Sequence, residues 1–170
     1  MSTPLLTITA YGLPAPQGSK RHVGRGILVE SSKHLKPWRE AVKTAALDAR
    51  APMYWQPLDE PLAVQMVFTM PKPASAPKRR RTWPARMPDL SKLIRATEDA
   101  LTDAGIWRDD ARVVRYRDTY KAYPGEEPLA LESPGVVIRI WLLEQLTAEP
   151  RPAVVPCSAT TPPAHTIHQP

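Results

Sequence analysis

The chain has one cysteine, Cys157, and four histidines among 170 residues. A lone thiol makes no disulfide framework and fits a reducing compartment. His22 and His34 sit in a basic stretch, and His165 and His168 lie near the far end, so no cluster with zinc-ligand spacing forms. No apolar run approaches the roughly 18 residues that a membrane span needs. The amino terminus lacks the charged start and hydrophobic stretch of a secretory signal. A cytoplasmic protein with no membrane partner is therefore expected. Internal repeats, a nucleotide-binding glycine fingerprint and the ordered aromatic motif of an RNA-recognition sheet are also missing. What is present in quantity is positive charge: a formal net charge of +6 and a sequence pI near 9.7. That balance favours polyanionic partners.

The charge is unevenly placed. Residues 71–88 contain six basic side chains, Lys72, Lys78, Arg79, Arg80, Arg81 and Arg86, together with five prolines and no acid. Prolines and like charges oppose packing, so this segment predicts a mobile, extended basic loop. A solvated loop that only aids solubility is the bland reading. The position of the loop, leading directly into Asp89, favours a grip on phosphates flanking a reacting bond. Trp83 within it could stack on an unpaired base. From Thr147 onward six prolines fall in 24 residues with no helical or strand period, which predicts a disordered tail over 147–170.

Between these lies an α+β pattern over residues 1–146. Leu6, Ile8 and Ala10 alternate in a first strand ending at Gly12. Residues 14–25 read as a loop carrying Lys20 and Arg21, and Ile27 to Glu30 as a short strand. Trp38, Ala41, Val42, Ala45 and Ala49 mark a helix opened by Pro37, its apolar face a core or dimer contact. Leu62, Val64, Met66, Phe68 and Met70 alternate in a half-buried strand. Along 112–121, Arg115, Arg117 and Lys121 share one face and Val114, Tyr116 and Tyr120 the other. The basic face is equally readable as a DNA track and as the wet side of a sheet. Val136, Ile138, Ile140 and Leu142 form a last strand antiparallel to it. The resulting fold class is a mixed β-sheet packed with two main helices.

The second helix carries the chemistry. Leu90, Leu93, Ile94, Thr97, Leu101 and Ala104 recur at helical spacing over about 91–104, between Pro88 and Ser91 at the start and Gly105 at the end. Such a helix is roughly 20 Å long, which would part Asp89 from Asp109 and Asp110. Residues 106–110, extended, travel back roughly 16 Å, so a reversal at Gly105 would return the later acids toward Asp89. Clustered aspartates suit magnesium, which prefers hard oxygen ligands, and magnesium suits phosphodiester hydrolysis because it activates water and neutralises phosphate oxygens.

The ordered run Asp89-Leu90-Ser91-Lys92-Leu93-Ile94-Arg95, then Asp99-Ala100-Leu101, Gly105 and Asp109-Asp110-Ala111-Arg112-Val113 resembles the core motif of the RusA family of Holliday junction resolvases and related phage endonucleases. That pattern is Asp-x-Asp-Asn-Leu-x-Lys, Asp-Ala-Leu, a Gly and Asp-Asp-x-x-Val. The resemblance is strong over 88–113 and weaker from Tyr11 to about Leu143. It implies a small homodimer that binds branched DNA and cuts it with Mg2+, or Mn2+, held by aspartates. Asp89 and Asp110 would then hold the metal, with Asp109 contributing, and Lys20 and Arg21 would belong to a DNA-binding loop beside Lys78, Arg79, Arg80, Arg81 and Arg86.

Two positions depart from the pattern. Ser91 stands where a second acid is expected, and its hydroxyl can ligate magnesium but brings no charge. Arg95 replaces the lysine; it keeps the charge that stabilises a phosphorane but does not readily donate a proton, and Lys92 one turn earlier shares the role. Asp99, four residues after Arg95, is either part of the site or half of an exposed ion pair worth about 0.3–0.5 kcal/mol. The expected activity is a magnesium-dependent endodeoxyribonuclease acting on branched DNA in recombination or repair. The alternative, made credible by Ser91 and Arg95, is a structure-selective DNA-binding protein without catalysis.

Overall fold

A computed structural model of the chain describes residues 3–18, 20–22, 28–30, 33–77 and 80–143. The expected tail therefore lies outside the described residues, as do Lys78 and Arg79 and the side chains of Lys20 and Arg21. The elements run β1 (Leu6–Tyr11), β2 (Lys20–His22), β3 (Leu28–Glu30), α1 (Leu35–Arg50), β4 (Leu62–Thr69), α2 (Leu90–Asp103), a single 3-10 turn (Asp110–Arg112), β5 (Val113–Ala122) and β6 (Gly135–Leu142). The α+β expectation holds. One strand escapes the sequence pattern: Lys20–His22, expected as loop, pairs antiparallel with Leu28–Glu30 in a separate two-stranded sheet. Three residues carry too short a pattern for alternation to register.

The main sheet has the order β1-β6-β4-β5. The last strand, β6, is antiparallel to both β1 and β4, while β5 runs parallel to β4. β5 and β6 are thus antiparallel in direction, as expected, but β4 lies between them and they do not pair. Parallel pairing needs a crossover along the length of the sheet, and α2 supplies it. Being central, β4 is buried on both sides. Its Leu62, Val64, Met66 and Phe68 join Leu6, Ile8, Val136, Ile138 and Ile140 on one face of the sheet. Against that face pack Trp38, Val42 and Ala46 of α1 and Leu93, Ala96, Ala100 and Leu101 of α2. The apolar face of α1 is therefore spent within the chain's own core. Gly135 is forced by close approach at the β1–β6 seam: a Cβ there would lie 2.4 Å from the Ala10 carbonyl oxygen.

Two register shifts on β5, between the pairs of Leu62/Ala63 and of Gln65/Val67, rearrange the face assignments expected from alternation. Arg117 pairs with Gln65, but Tyr120 pairs with Val67 and Lys121 with Phe68. Each extra residue inverts the inside-outside sense of the strand beyond it. Arg115, Arg117 and Tyr120 consequently share the face turned away from the helices, and Tyr116 and Lys121 share the helix side. The expected grouping of Lys121 with the two arginines is corrected.

The reversal at Gly105 is built as expected. The Ile106 N–H donates to the Leu101 carbonyl at 3.0 Å and the Gly105 N–H to that of Thr102 at 2.9 Å, with Gly105 at φ +63°. This double bond pattern is the Schellman ending of a helix, and it needs a left-handed residue at this position. The returning segment is held by Asp59, whose carboxylate pairs with Arg108 at 2.8 Å and Arg112 at 2.6 Å. These guanidiniums hold the Asp59 carboxyl below the usual carboxylate range, with the Arg108 hydrogen bond the larger cause. Trp107 is buried and donates to the Thr102 hydroxyl at 2.8 Å. Gly105→Ala should destabilise the fold by about 1–2 kcal/mol, the cost of a left-handed L-residue. Urea unfolding checks this as a lowered midpoint at unchanged slope.

Candidate active site

Asp89 precedes α2 in extended conformation, φ −66° and ψ 138°, as its N-cap residue, yet its side chain makes no capping hydrogen bond. Its carboxylate pairs with Lys92, one turn on, at 3.2 Å, and both groups are nearly half exposed. The loop after β1 reaches this mouth, since the Gln17 N–H donates to the Lys92 carbonyl at 2.9 Å. Ser91 and Arg95 are exposed on α2. With Glu98 they fall at i, i+4 and i+7, one stripe of the helix.

Glu98 is the site residue that sequence reasoning missed. It is 8% exposed, and the Tyr116 hydroxyl of β5 donates a short hydrogen bond to its Oε1. Burial raises its pKa above the usual value; the Tyr116 bond opposes this, the Asp110 and Asp99 charges add to it, and Arg95 opposes it. The Tyr116 hydroxyl is in turn pushed up, first by burial and then by Glu98. The only hint in the sequence was its place beside the Asp99-Ala100-Leu101 run, on a helix whose buried positions are otherwise small or apolar.

At the far end of the return, Asp109 accepts from the Ala111 N–H at 2.8 Å and caps the 3-10 turn. Asp110 is exposed, and its charge acts on both Glu98 and Tyr116. The fold-back thus brings the 3-10 turn against α2, where the charge of Asp110 acts on Glu98. Asp89, Asp109 and Asp110 do not close into a three-acid group: among the described residues no three His, Cys, Asp or Glu side chains gather so as to hold a metal. Asp89 stands at the mouth of α2, and along the helix Ser91, Arg95 and Glu98 share one stripe, with the charge of Asp110 acting on Glu98. Asp99 pairs with neither Arg95 nor a metal-binding neighbour. Arg39 of α1 holds it at 3.3 Å, and holds Asp103 at 2.8 Å.

The basic segment packs more than its composition implied, in the parts that are described. Lys72 pairs with Glu126, whose other oxygen accepts from the Thr82 N–H at 3.2 Å; the lysine bond is the chief cause that lowers the Glu126 pKa. Arg81 pairs with Glu127 and stacks 4.2 Å from the Trp83 ring centroid, and Trp83 meets Tyr120 edge-on at 6.5 Å. Lys121 donates to the Arg86 and Pro88 carbonyls at 2.8 and 2.9 Å. The acids of residues 123–134 thus supply counter-charges that the segment itself lacks. Trp83 remains 55% exposed, with one partner already on its face. Arg80 and Arg86 are exposed and take part in none of the ion pairs among the described residues.

A mixed sheet covered by two helices thus carries acids on and beyond α2 and a basic segment leading into its mouth. A family profile described as Endodeoxyribonuclease RusA matches residues 12–141. The chain belongs to this family of endodeoxyribonucleases, the class that includes Holliday junction resolvases. It is 34% identical over 110 residues to the crossover junction endodeoxyribonuclease RusA of Shigella sonnei (strain Ss046), covering 62% of this chain and 76% of that protein. Among the described residues no helix is long and apolar enough to cross a membrane.

The buried Glu98 generates a test on stability. Its raised pKa means the folded state holds the proton that the unfolded chain releases, so its contribution to stability is intact below the ordinary pKa of 4.5 and is lost as pH rises through the folded value. Glu98→Gln keeps an acceptor for Tyr116 and removes the titration. Its thermal midpoint should exceed that of the unaltered chain at pH 7, and the gap should close as the pH falls through the raised folded value toward about 4.5.

Proposed function

We propose that the chain is a magnesium-dependent endodeoxyribonuclease that cleaves branched DNA such as Holliday junctions, working as a homodimer in recombination or repair. The observation that carries this reading is the family match over residues 12–141, supported by the charge of Asp110 acting on Glu98, which shares its helical stripe with Ser91 and Arg95. The donor set is hard oxygen throughout, which suits Mg2+ and also Mn2+. Magnesium needs only one or two carboxylates because it keeps waters and takes substrate phosphate oxygens. Asp89 and Asp110 would hold it, with Asp109 and Ser91 as further oxygens. When bound, the ion would lower the pKa of a water and neutralise developing charge on the phosphate.

The chain's own residues perform the rest. Arg95, exposed on the stripe between Ser91 and Glu98, offers a fixed positive charge to the phosphate in its transition state. Lys92 balances Asp89 in the free protein and becomes available to a phosphate once that carboxylate is otherwise engaged. Arg80, Arg81 and Arg86, with Lys78 and Arg79, hold the flanking backbone, and Lys20 and Arg21 add to the grip from β2. Two such sites related by a two-fold axis suit a symmetric four-way junction, whose resolution needs two cuts.

The second reading is a junction-binding protein that does not cut. It is favoured by Ser91 in place of an acid and by the engagement of Asp89 with Lys92. A labelled four-way junction incubated with Mg2+ or Mn2+, or with EDTA, separates the two. Metal-dependent cleavage is expected; binding without cleavage in every metal would select the second reading. Asp89→Asn and Asp110→Asn should each reduce cleavage by at least about a hundredfold, as loss of metal-site residues does, and leave junction binding in EDTA in place. Full activity of either variant would reject its assignment.

A further inference from the structure

The sheet face turned away from the helices carries a charge pattern that the centre on α2 does not use. Register places Arg117 of β5 and Arg139 of β6 on either side of Gln65 of β4, so three adjacent strands align two guanidiniums about one amide. Arg117 lies 4.6 Å from the Trp141 ring centroid, which fixes its plane. The Nε of Arg139 is buried with no hydrogen-bond partner. Arg115 is exposed on the same face, opposite Ala63. None of the ion pairs among the described residues involves these three arginines. Together with Tyr120, the residues Gln65, Arg117, Arg139 and Trp141 line a groove of about 740 Å3. Two acids, Asp118 and Glu127, also lie on its wall, and Glu127 is already paired with Arg81.

A second feature ties this face to the helix mouth. The register shift sends Tyr120 to the open face and Lys121 to the helix side. Trp83 contacts the first, while the carbonyls of Arg86 and Pro88 accept from the second. The segment from Arg81 to Pro88 therefore passes around the edge strand β5, from the open face to the residue that precedes Asp89. Positive groups accompany it the whole way: Arg139 and Arg117, then Arg81, then Arg86.

We propose that the open sheet face, centred on Arg117 and Arg139, is a second binding site for the sugar-phosphate backbone of DNA, and that it holds a duplex arm leading around the β5 edge to the α2 centre. The inference rests on the nuclease reading above. A guanidinium offers paired donors that match phosphate oxygens, and the Gln65 amide, whose Nε2 donates to the Asp118 carbonyl at 3.4 Å, has a second N–H without charge. Such contacts hold any sequence, because they touch no base edge. Charge decides between DNA and a second copy of this chain as occupant. The buried centre of a protein–protein contact is depleted of charge, whereas here arginines outside the ion pairs of the described residues sit at the centre of the groove.

The test is the salt dependence of binding by the full chain to a four-way junction and to a linear duplex in EDTA, comparing Arg117→Gln, Arg139→Gln, the double variant and Arg115→Gln. Each phosphate that is no longer neutralised should lower the slope of log affinity against log salt by about 0.9, so the double variant should lose about 1.8. Hydroxyl-radical protection of one junction arm should vanish in the double variant. Should removal of the half-buried Arg139 prevent folding, as judged by circular dichroism, the exposed Arg115→Gln and the single Arg117→Gln supply the reading, each with a decrease of about 0.9. Unchanged slopes in folded variants would overturn the site while leaving the nuclease reading intact. So would unchanged slopes accompanied by a shift in sedimentation, which would make the face a contact between copies. Failure of the unaltered chain to bind either DNA would overturn the nuclease reading and this site with it.

Discussion

Parallel pairing of β4 with β5 is the constraint on which the rest depends. Two consecutive parallel strands cannot be joined by a turn; the chain must travel back along the sheet before the second begins. Here α2 makes that journey, and the Schellman ending at Gly105 turns the chain toward the start of β5. The acids are set by this route. Asp89 stands where the helix begins, Asp110 where the chain enters the next strand, and the Tyr116–Glu98 hydrogen bond ties strand to helix between them. Their spacing is therefore set by the rise of α2 and by the return after Gly105, which Asp59 holds at Arg108 and Arg112.

Charge on this protein is shaped as much by pairing as by content. A basic composition suggests many hands for DNA, yet Lys72, Arg81, Arg39, Arg108 and Arg112 each meet a carboxylate of the same chain. These are largely surface pairs, which contribute little to stability individually. Their effect is to place segments: Glu126 and Glu127 hold the basic segment against the loop after β5, and Asp59 holds the returning segment. The arginines outside such pairs then mark where the field is directed outward.

Long, regular elements were legible in the sequence because periodicity over several residues reports a buried face directly. Both helices, β1, β4 and β6, and the reversal at Gly105 were of this kind. The order of the motif from Asp89 to Asp110 was equally legible, because it is carried by identities and spacing rather than by tertiary contact. Two things were not. The bulges in β5 change the sense of every residue beyond them, and nothing local in Arg115 to Lys121 announces an extra residue. Partners distant in sequence were also hidden: Asp99 was matched with Arg95 by helical spacing, but its partner came from α1, at position 39. Glu98 escaped notice for the same reason, since its meaning depends on a tyrosine of β5 and an aspartate beyond the reversal.

The departures at Ser91 and Arg95 look different once Glu98 is placed on their stripe. Where the family pattern carries an acid at position 91, this chain keeps a neutral hydroxyl there and a buried carboxylate seven residues on, at the end nearer Asp110. Ionisation of Glu98 is opposed by burial, Asp110 and Asp99, and favoured by Tyr116 and Arg95. Anything that neutralises Asp110 removes one of the charges that oppose ionisation of Glu98. Desolvation remains even then, because it comes from the packing of α2 against β5. On the metal-dependent reading proposed above, a cation near Asp110 would ease ionisation of Glu98, and the packing of α2 against β5 would limit how far.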